Sequence, residues 1–90
     1  MSITVVFRPA GTTAEQYDEM TRRLEAAGAG APAGRVFHTC FGDPSALGVV
    51  DVWESLTHFE AFGAVLMPII ADVGADVADP EIHETHNVLT

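Results

Sequence analysis

Arg35-Val36-Phe37-His38-Thr39-Cys40-Phe41-Gly42-Asp43-Pro44-Ser45-Ala46-Leu47-Gly48-Val49-Val50-Asp51-Val52-Trp53 is the stretch that decides the fold. Arg35 to Phe41 and Leu47 to Trp53 are rich in the β-branched and aromatic residues that suit a pleated, half-buried surface. Between them, Gly42-Asp43-Pro44-Ser45 has turn chemistry: a permissive glycine, an aspartate able to bond its own backbone, and a fixed-φ proline. The two runs therefore read as an antiparallel hairpin.

Working outward, a helix lies on each side. On the C-terminal side Ser55 is an N-cap, and Phe59, Phe62, Val65 and Leu66 form the apolar stripe of the helix it opens. Pro68 cannot continue that hydrogen-bond ladder, so a kink or restart is expected there, with the helix running on to Gly74. On the N-terminal side, past a Gly/Ala/Pro loop from Gly28 to Gly34, Thr13 and Gln16 have capping-box spacing. The helix they open carries Tyr17, Met20, Leu24 and Ala27 on one stripe and stops at Gly28. The flanks complete the pattern, with one strand expected over Met1–Arg8 and another over Glu81–Leu89. The order β-α-β-β-α-β is the split βαβ pattern of the ferredoxin-like fold. The expectation is one α+β domain over residues 1–90, a four-stranded antiparallel sheet with two helices on one face.

Composition bounds what such a domain can do. At 48% hydrophobic residues the chain is no disordered segment. Thirteen acids against four arginines give a net charge of −9, which argues against nucleic acid and anionic membranes as partners. Cys40 is the only cysteine, so no disulfide framework supports the fold. No basic segment followed by an apolar run opens the chain, and no apolar stretch approaches ~20 residues. A cytoplasmic protein is expected.

Ninety residues build a thin core. A sheet with both helices on one face also leaves its other face bare, and strand alternation sends roughly half of the apolar side chains there. Two sheets packed face to face would cover both, so a homodimer, a dimeric α+β barrel, is the expected assembly.

Hairpin register nominates a site. If Gly42 pairs with Leu47, His38 falls opposite Asp51 and Val36 opposite Trp53, placing His38, Asp51 and Trp53 on one face. A histidine held by a carboxylate in an apolar pocket is a sound general base. The alternative is a histidine and an aspartate that only satisfy structural hydrogen bonds. Phe59, Phe62 and Leu66 of the second helix would close the apolar side of a cavity for a small apolar or aromatic molecule. His86 is a further candidate substrate contact on the last strand. The run His83-Glu84-Thr85-His86 invites a metal, but His83 and His86 point apart on a strand, so none is expected. Cys40 reads as an apolar filler, with a Cys-His nucleophile as the lesser alternative. His58 reads as a surface or capping residue. Arg8 either meets an anionic substrate or pairs with an acid at the rim.

Val49-Val50-Asp51-Val52-Trp53-Glu54-Ser55, followed by Phe59 and Phe62, resembles the third strand and second helix of antibiotic-biosynthesis-monooxygenase-like proteins. His83-Glu84-Thr85-His86-Asn87 resembles the last strand of a small actinobacterial branch of that group. The resemblance spans the chain in element order and length. It implies a pocket between sheet and helices, with Trp53 in the place of a pocket tryptophan. Such proteins include quinone-forming monooxygenases, heme-degrading enzymes, polyketide cyclases and lactone isomerases. The heme-degrading pocket uses an Asn on the first strand, and Ser2 to Arg8 contains none. It also uses a His where this chain has Phe62 and Gly63, so neither heme nor another cofactor is expected. The implied function is a cofactor-independent monooxygenase acting on a phenolic or polyketide-like substrate by His38-assisted proton abstraction. A polyketide cyclase or isomerase needs the same base without oxygen, and a non-catalytic ligand-binding protein needs only the pocket.

Overall fold

The computed structural model describes residues 1–90. Strands β1 (Ile3–Phe7), β2 (Arg35–Asp43), β3 (Ala46–Trp53) and β4 (Glu81–Glu84) alternate with helices α1 (Ala14–Ala26) and α2 (Leu56–Val73) in the expected order. The sheet runs β2-β3-β1-β4, antiparallel throughout. This is the ferredoxin-like α+β architecture.

Local chemistry sets the boundaries. The Thr13 hydroxyl accepts from the Gln16 amide at 3.2 Å while the Gln16 side chain accepts from the Thr13 amide at 3.0 Å. That reciprocal box satisfies two otherwise orphaned donors at the start of α1. Ser55 caps α2 in the same way, accepting from the His58 amide at 3.2 Å. The His58 ring bonds back to the Ser55 hydroxyl at 2.7 Å and lies against Gly34, where a Cβ would come within 2.4 Å of it. His58 is thus a capping residue. Pro68 does not break α2. Both Pro68 and Ala64, whose carbonyl loses its partner, are exposed, so water can take the vacant bond. Gly74 ends the helix in the left-handed region at φ 76°. Contrary to the expectation that no apolar stretch approaches membrane-spanning length, α2, at 18 residues and mean hydropathy 1.4, is long and apolar enough to cross a membrane by length and composition alone. Its Phe59, Phe62 and Leu66 are nevertheless committed to the core.

The hairpin closes on Asp43 paired with Ala46, leaving Pro44-Ser45 as a two-residue turn. Asp43 accepts from the Ser45 amide at 2.9 Å and its hydroxyl at 2.6 Å, which fixes the turn. Gly42 then pairs with Leu47 and His38 with Asp51, as the sequence predicts. The pairing of Val36 with Trp53 does not form. A β-bulge between Arg35 and Phe37 leaves Val36 unpaired and sets Arg35 opposite Trp53. The bulge lies beyond His38 from the turn, so the His38–Asp51 pairing survives it.

β4 is also shorter than its pattern predicts. Glu84 pairs with Ile3, and the Thr85 amide makes one more bond, 3.0 Å to the Ser2 carbonyl. β1 then runs out of residues, so His86 and Asn87 have no neighbour to extend a ladder. Both lie past the strand and are exposed.

Val5, Trp53 and Phe62 form the core, packed by Ile3, Phe7, Leu24, Phe59 and Leu66 between the sheet and the helices. Phe37 and Phe41 pair with Val52 and Gly48, on the face away from His38 and Asp51. Phe41 lies directly over Gly48, where a Cβ would meet its ring at 2.7 Å. Both phenylalanines are 40% exposed and Val36 is 50% exposed, so this face keeps large apolar side chains in water.

Candidate active site

A cavity of about 210 Å³ lies between the helices and the sheet. Met20, Leu24, Phe62 and Leu66 give it apolar walls, and Tyr17, Arg35, His38 and Asp51 supply polar groups. Strand parity brings His38 and Asp51 to this face, and α1 lays Tyr17 across it.

These three side chains form one hydrogen-bonded chain. His38 Nδ1 lies 2.5 Å from Asp51 Oδ1, and His38 Nε2 lies 2.6 Å from the Tyr17 hydroxyl. The Tyr17 and His38 planes are within 8° of parallel, with centroids 6.1 Å apart, so the rings meet end to end. The Asp51 side chain is 5% exposed and that of His38 27%. A carboxylate only accepts, so Nδ1 carries the proton that bonds Asp51. In the neutral imidazole Nε2 is then the acceptor, and the Tyr17 hydroxyl donates to it. Burial, then the nearby Cys40, pushes the Tyr17 phenol above its usual range, opposed in part by Thr21 and, less, by Arg35. The phenol therefore stays protonated at neutral pH and keeps its donor role.

Tyr17 is the site residue that sequence reading missed. It was legible only as an apolar position on the core stripe of α1. The available signal was its hydroxyl, which needs a partner once the ring faces a core.

The other candidates divide. Phe62 and Leu66 line the cavity. Trp53 and Phe59 stand behind it. Trp53 packs on Phe62 with centroids 5.2 Å apart and on Phe59 at 5.9 Å, supporting the wall without reaching the space. His86 is not among the lining residues, because β4 ends before it. Cys40 shares the face of His38 by parity. Burial, with Asp18 second, pushes its thiol up, which works against a thiolate nucleophile. Arg8 lies at the cavity rim and pairs with Glu81, whose Oε1 accepts from Nη2 at 3.3 Å. No three His, Cys, Asp or Glu side chains converge on one point.

No protein-family model and no curated protein sequence matches the chain. Solved structures do. SnoaB, a cofactor-independent oxygenase from Streptomyces nogalater, superposes with a TM-score of 0.63 over 98% of this chain and 94% of its own, at 16% identity. A Chloroflexus aurantiacus J-10-fl protein assigned as an antibiotic biosynthesis monooxygenase gives 0.66 over 100% and 98%, also at 16% identity. A Deinococcus radiodurans protein with the same assignment gives 0.61 over 100% and 97%, at 15% identity. The chain has the antibiotic-biosynthesis-monooxygenase-like fold. At such identities the likeness covers architecture and leaves the chemistry to the residues of this cavity.

Proposed function

We propose that this protein is a cofactor-independent monooxygenase of a small phenol, with His38 as the general base. The observation that carries the reading is the Asp51–His38–Tyr17 chain ending in an apolar cavity. The fold it shares with SnoaB, described as a cofactor-independent oxygenase, supports it.

The substrate hydroxyl donates to Tyr17 Oη. As Tyr17 takes that proton it passes its own to His38 Nε2, and Asp51 stabilises the imidazolium. The phenolate is electron-rich at its para carbon, which bonds dioxygen. The peroxide takes the proton back from His38. Loss of the para hydrogen then breaks the O–O bond, releasing water and leaving a quinone. One oxygen atom stays on the product and the other leaves in water, with the substrate as sole reductant. Size narrows the choice. An apolar cavity of ~150 Å³ holds benzene, so about 210 Å³ suits one or two rings and not an extended polyketide.

Oxygen-electrode measurements with phenol and 1-naphthol test the reading. We expect one dioxygen consumed per quinone formed, and a Tyr17→Phe variant slower by on the order of 10²-fold, since the relay loses its hydroxyl. Product formed at an unchanged rate under nitrogen would instead assign the base to an isomerase or cyclase.

The working form we propose is a homodimer joined through the sheet face that carries Phe37 and Phe41. Only eight residues of the single chain are buried, so its own core is thin. A second copy would take apolar side chains of the open face out of water, each worth roughly 1.5–3 kcal/mol when fully buried. Light scattering at micromolar concentration should give twice the chain's 9.6 kDa. A Phe37→Glu, Phe41→Glu variant should shift it toward one chain. A wild-type protein that stays a compact, stable monomer would remove the dimer from the proposal.

A further inference from the structure

We infer that Arg35 is an anion anchor in this cavity, and that the molecule taken there is a small hydroxylated aromatic acid with its carboxylate on Arg35 and its hydroxyl on Tyr17. The inference rests on reading the cavity as the substrate site.

The chain has four arginines among thirteen acids. Arg8 pairs with Glu81, and Arg22 and Arg23 both pair with Glu19. Arg35 alone forms no ion pair. Its only side-chain hydrogen bond is a long one, 3.3 Å from Nη2 to the Gly30 carbonyl. Its guanidinium carbon lies 5.8 Å from the centroid of Phe62, a wall of the cavity. A guanidinium has five donors in a fork that matches a carboxylate. Most of those of Arg35 are unused, in a protein with an excess of carboxylates.

The bulge explains how Arg35 reaches the cavity. Three positions separate Arg35 from His38, and in a regular strand an odd spacing sends side chains to opposite faces. By leaving Val36 unpaired, the bulge sets Arg35 opposite Trp53 and His38 opposite Asp51, on one face. Trp53 and Asp51 are two residues apart, so the two positions lie about 7 Å from each other along the sheet. That separation suits a hydroxyl and a carboxylate on one ring. Arg35 also opposes the upward push on the Tyr17 phenol, as a charge sharing its surroundings would. The net charge of −9 repels anions at long range, but at physiological salt that field is screened within about 8 Å.

Trp53, the only tryptophan, touches Phe62 and so reports binding by its fluorescence. The probes are 3-hydroxybenzoate and its methyl ester, which differ in the charge and little in the ring and both keep a hydrogen on the carbon para to the hydroxyl. Wild-type protein should bind the acid at least about tenfold more tightly than the ester. Arg35→Gln should weaken the acid by roughly 10–100-fold and leave the ester unchanged, with Arg35→Lys in between. Circular dichroism confirms that each variant is folded. Equal wild-type affinity for acid and ester, or an acid affinity indifferent to Arg35→Gln, overturns the anchor alone. If neither probe binds, the anchor and the reading of the cavity as the substrate site fall together. Arg35-dependent binding of the acid without oxygen uptake upholds the anchor while sinking the oxygenase.

Discussion

Replacing His38 with alanine should lower turnover by roughly 10²–10⁴-fold, the usual worth of a positioned general base, while leaving the protein folded. The variant removes the acceptor of the Tyr17 proton and the donor to Asp51 in one step. Loss of its partner leaves the buried Asp51 carboxylate unsatisfied, costing about 1–3 kcal/mol. His38 is a quarter exposed, so water can reach the gap and keep the penalty near the lower end. Exogenous imidazole should restore part of the rate by occupying the vacated space. A purely structural histidine would show no such rescue. Asp51→Asn should be milder. The amide oxygen can still accept from Nδ1, so the tautomer is partly kept, but the charge that stabilises the imidazolium is lost. Oxygen uptake by His38→Ala within a few-fold of wild type would remove His38 as the base.

The hairpin illustrates what a sequence can and cannot disclose. The turn is local chemistry. Asp43, Pro44 and Ser45 set the register within a few bonds, and the His38–Asp51 pairing follows by counting outward. The bulge at Val36 has no such local marker. It lies where β2 meets the end of β3, and nothing in Arg35-Val36-Phe37 announces an extra residue. The same limit applies to β4, whose composition suits a strand to Leu89 but whose length is set by a partner more than seventy residues away. Tyr17 was hidden for a related reason. Its place on the α1 stripe is periodic and readable, but its hydroxyl meets Nε2 only once the helix is laid over the sheet. Trp53 and Phe59 show the opposite limit: strand parity gave the face of Trp53, but depth decided that both stand behind the cavity wall. Face and register are one-dimensional properties, whereas depth and the partner across a layer are not.

Trp53→Ala should be the most damaging single core substitution, costing about 3–5 kcal/mol. For a domain of this size, total stability is on the order of 5–15 kcal/mol, so the variant would approach the edge of folding. Trp53 is 0% exposed and anchors both Phe59 and Phe62, in tilted pairs that add roughly 0.5–1.5 kcal/mol each beyond area burial. Phe62 belongs to the cavity wall as well, so loosening it should also weaken ligand binding. The Trp53 Nε1 is buried with no protein group in hydrogen-bonding position, and a buried donor left unpaired costs about 1–3 kcal/mol. Trp53→Phe removes that donor while keeping an aromatic ring against Phe59 and Phe62. The gain should offset much of the lost volume, leaving a net cost below about 1.5 kcal/mol. Urea unfolding followed by circular dichroism, at one fixed protein concentration in case chains associate, gives both values. A small cost for Trp53→Ala would mean that the core does not depend on this residue. A cost for Trp53→Phe as large as that for Trp53→Ala would mean that the indole nitrogen has a partner in solution, for which an internal water is the natural candidate.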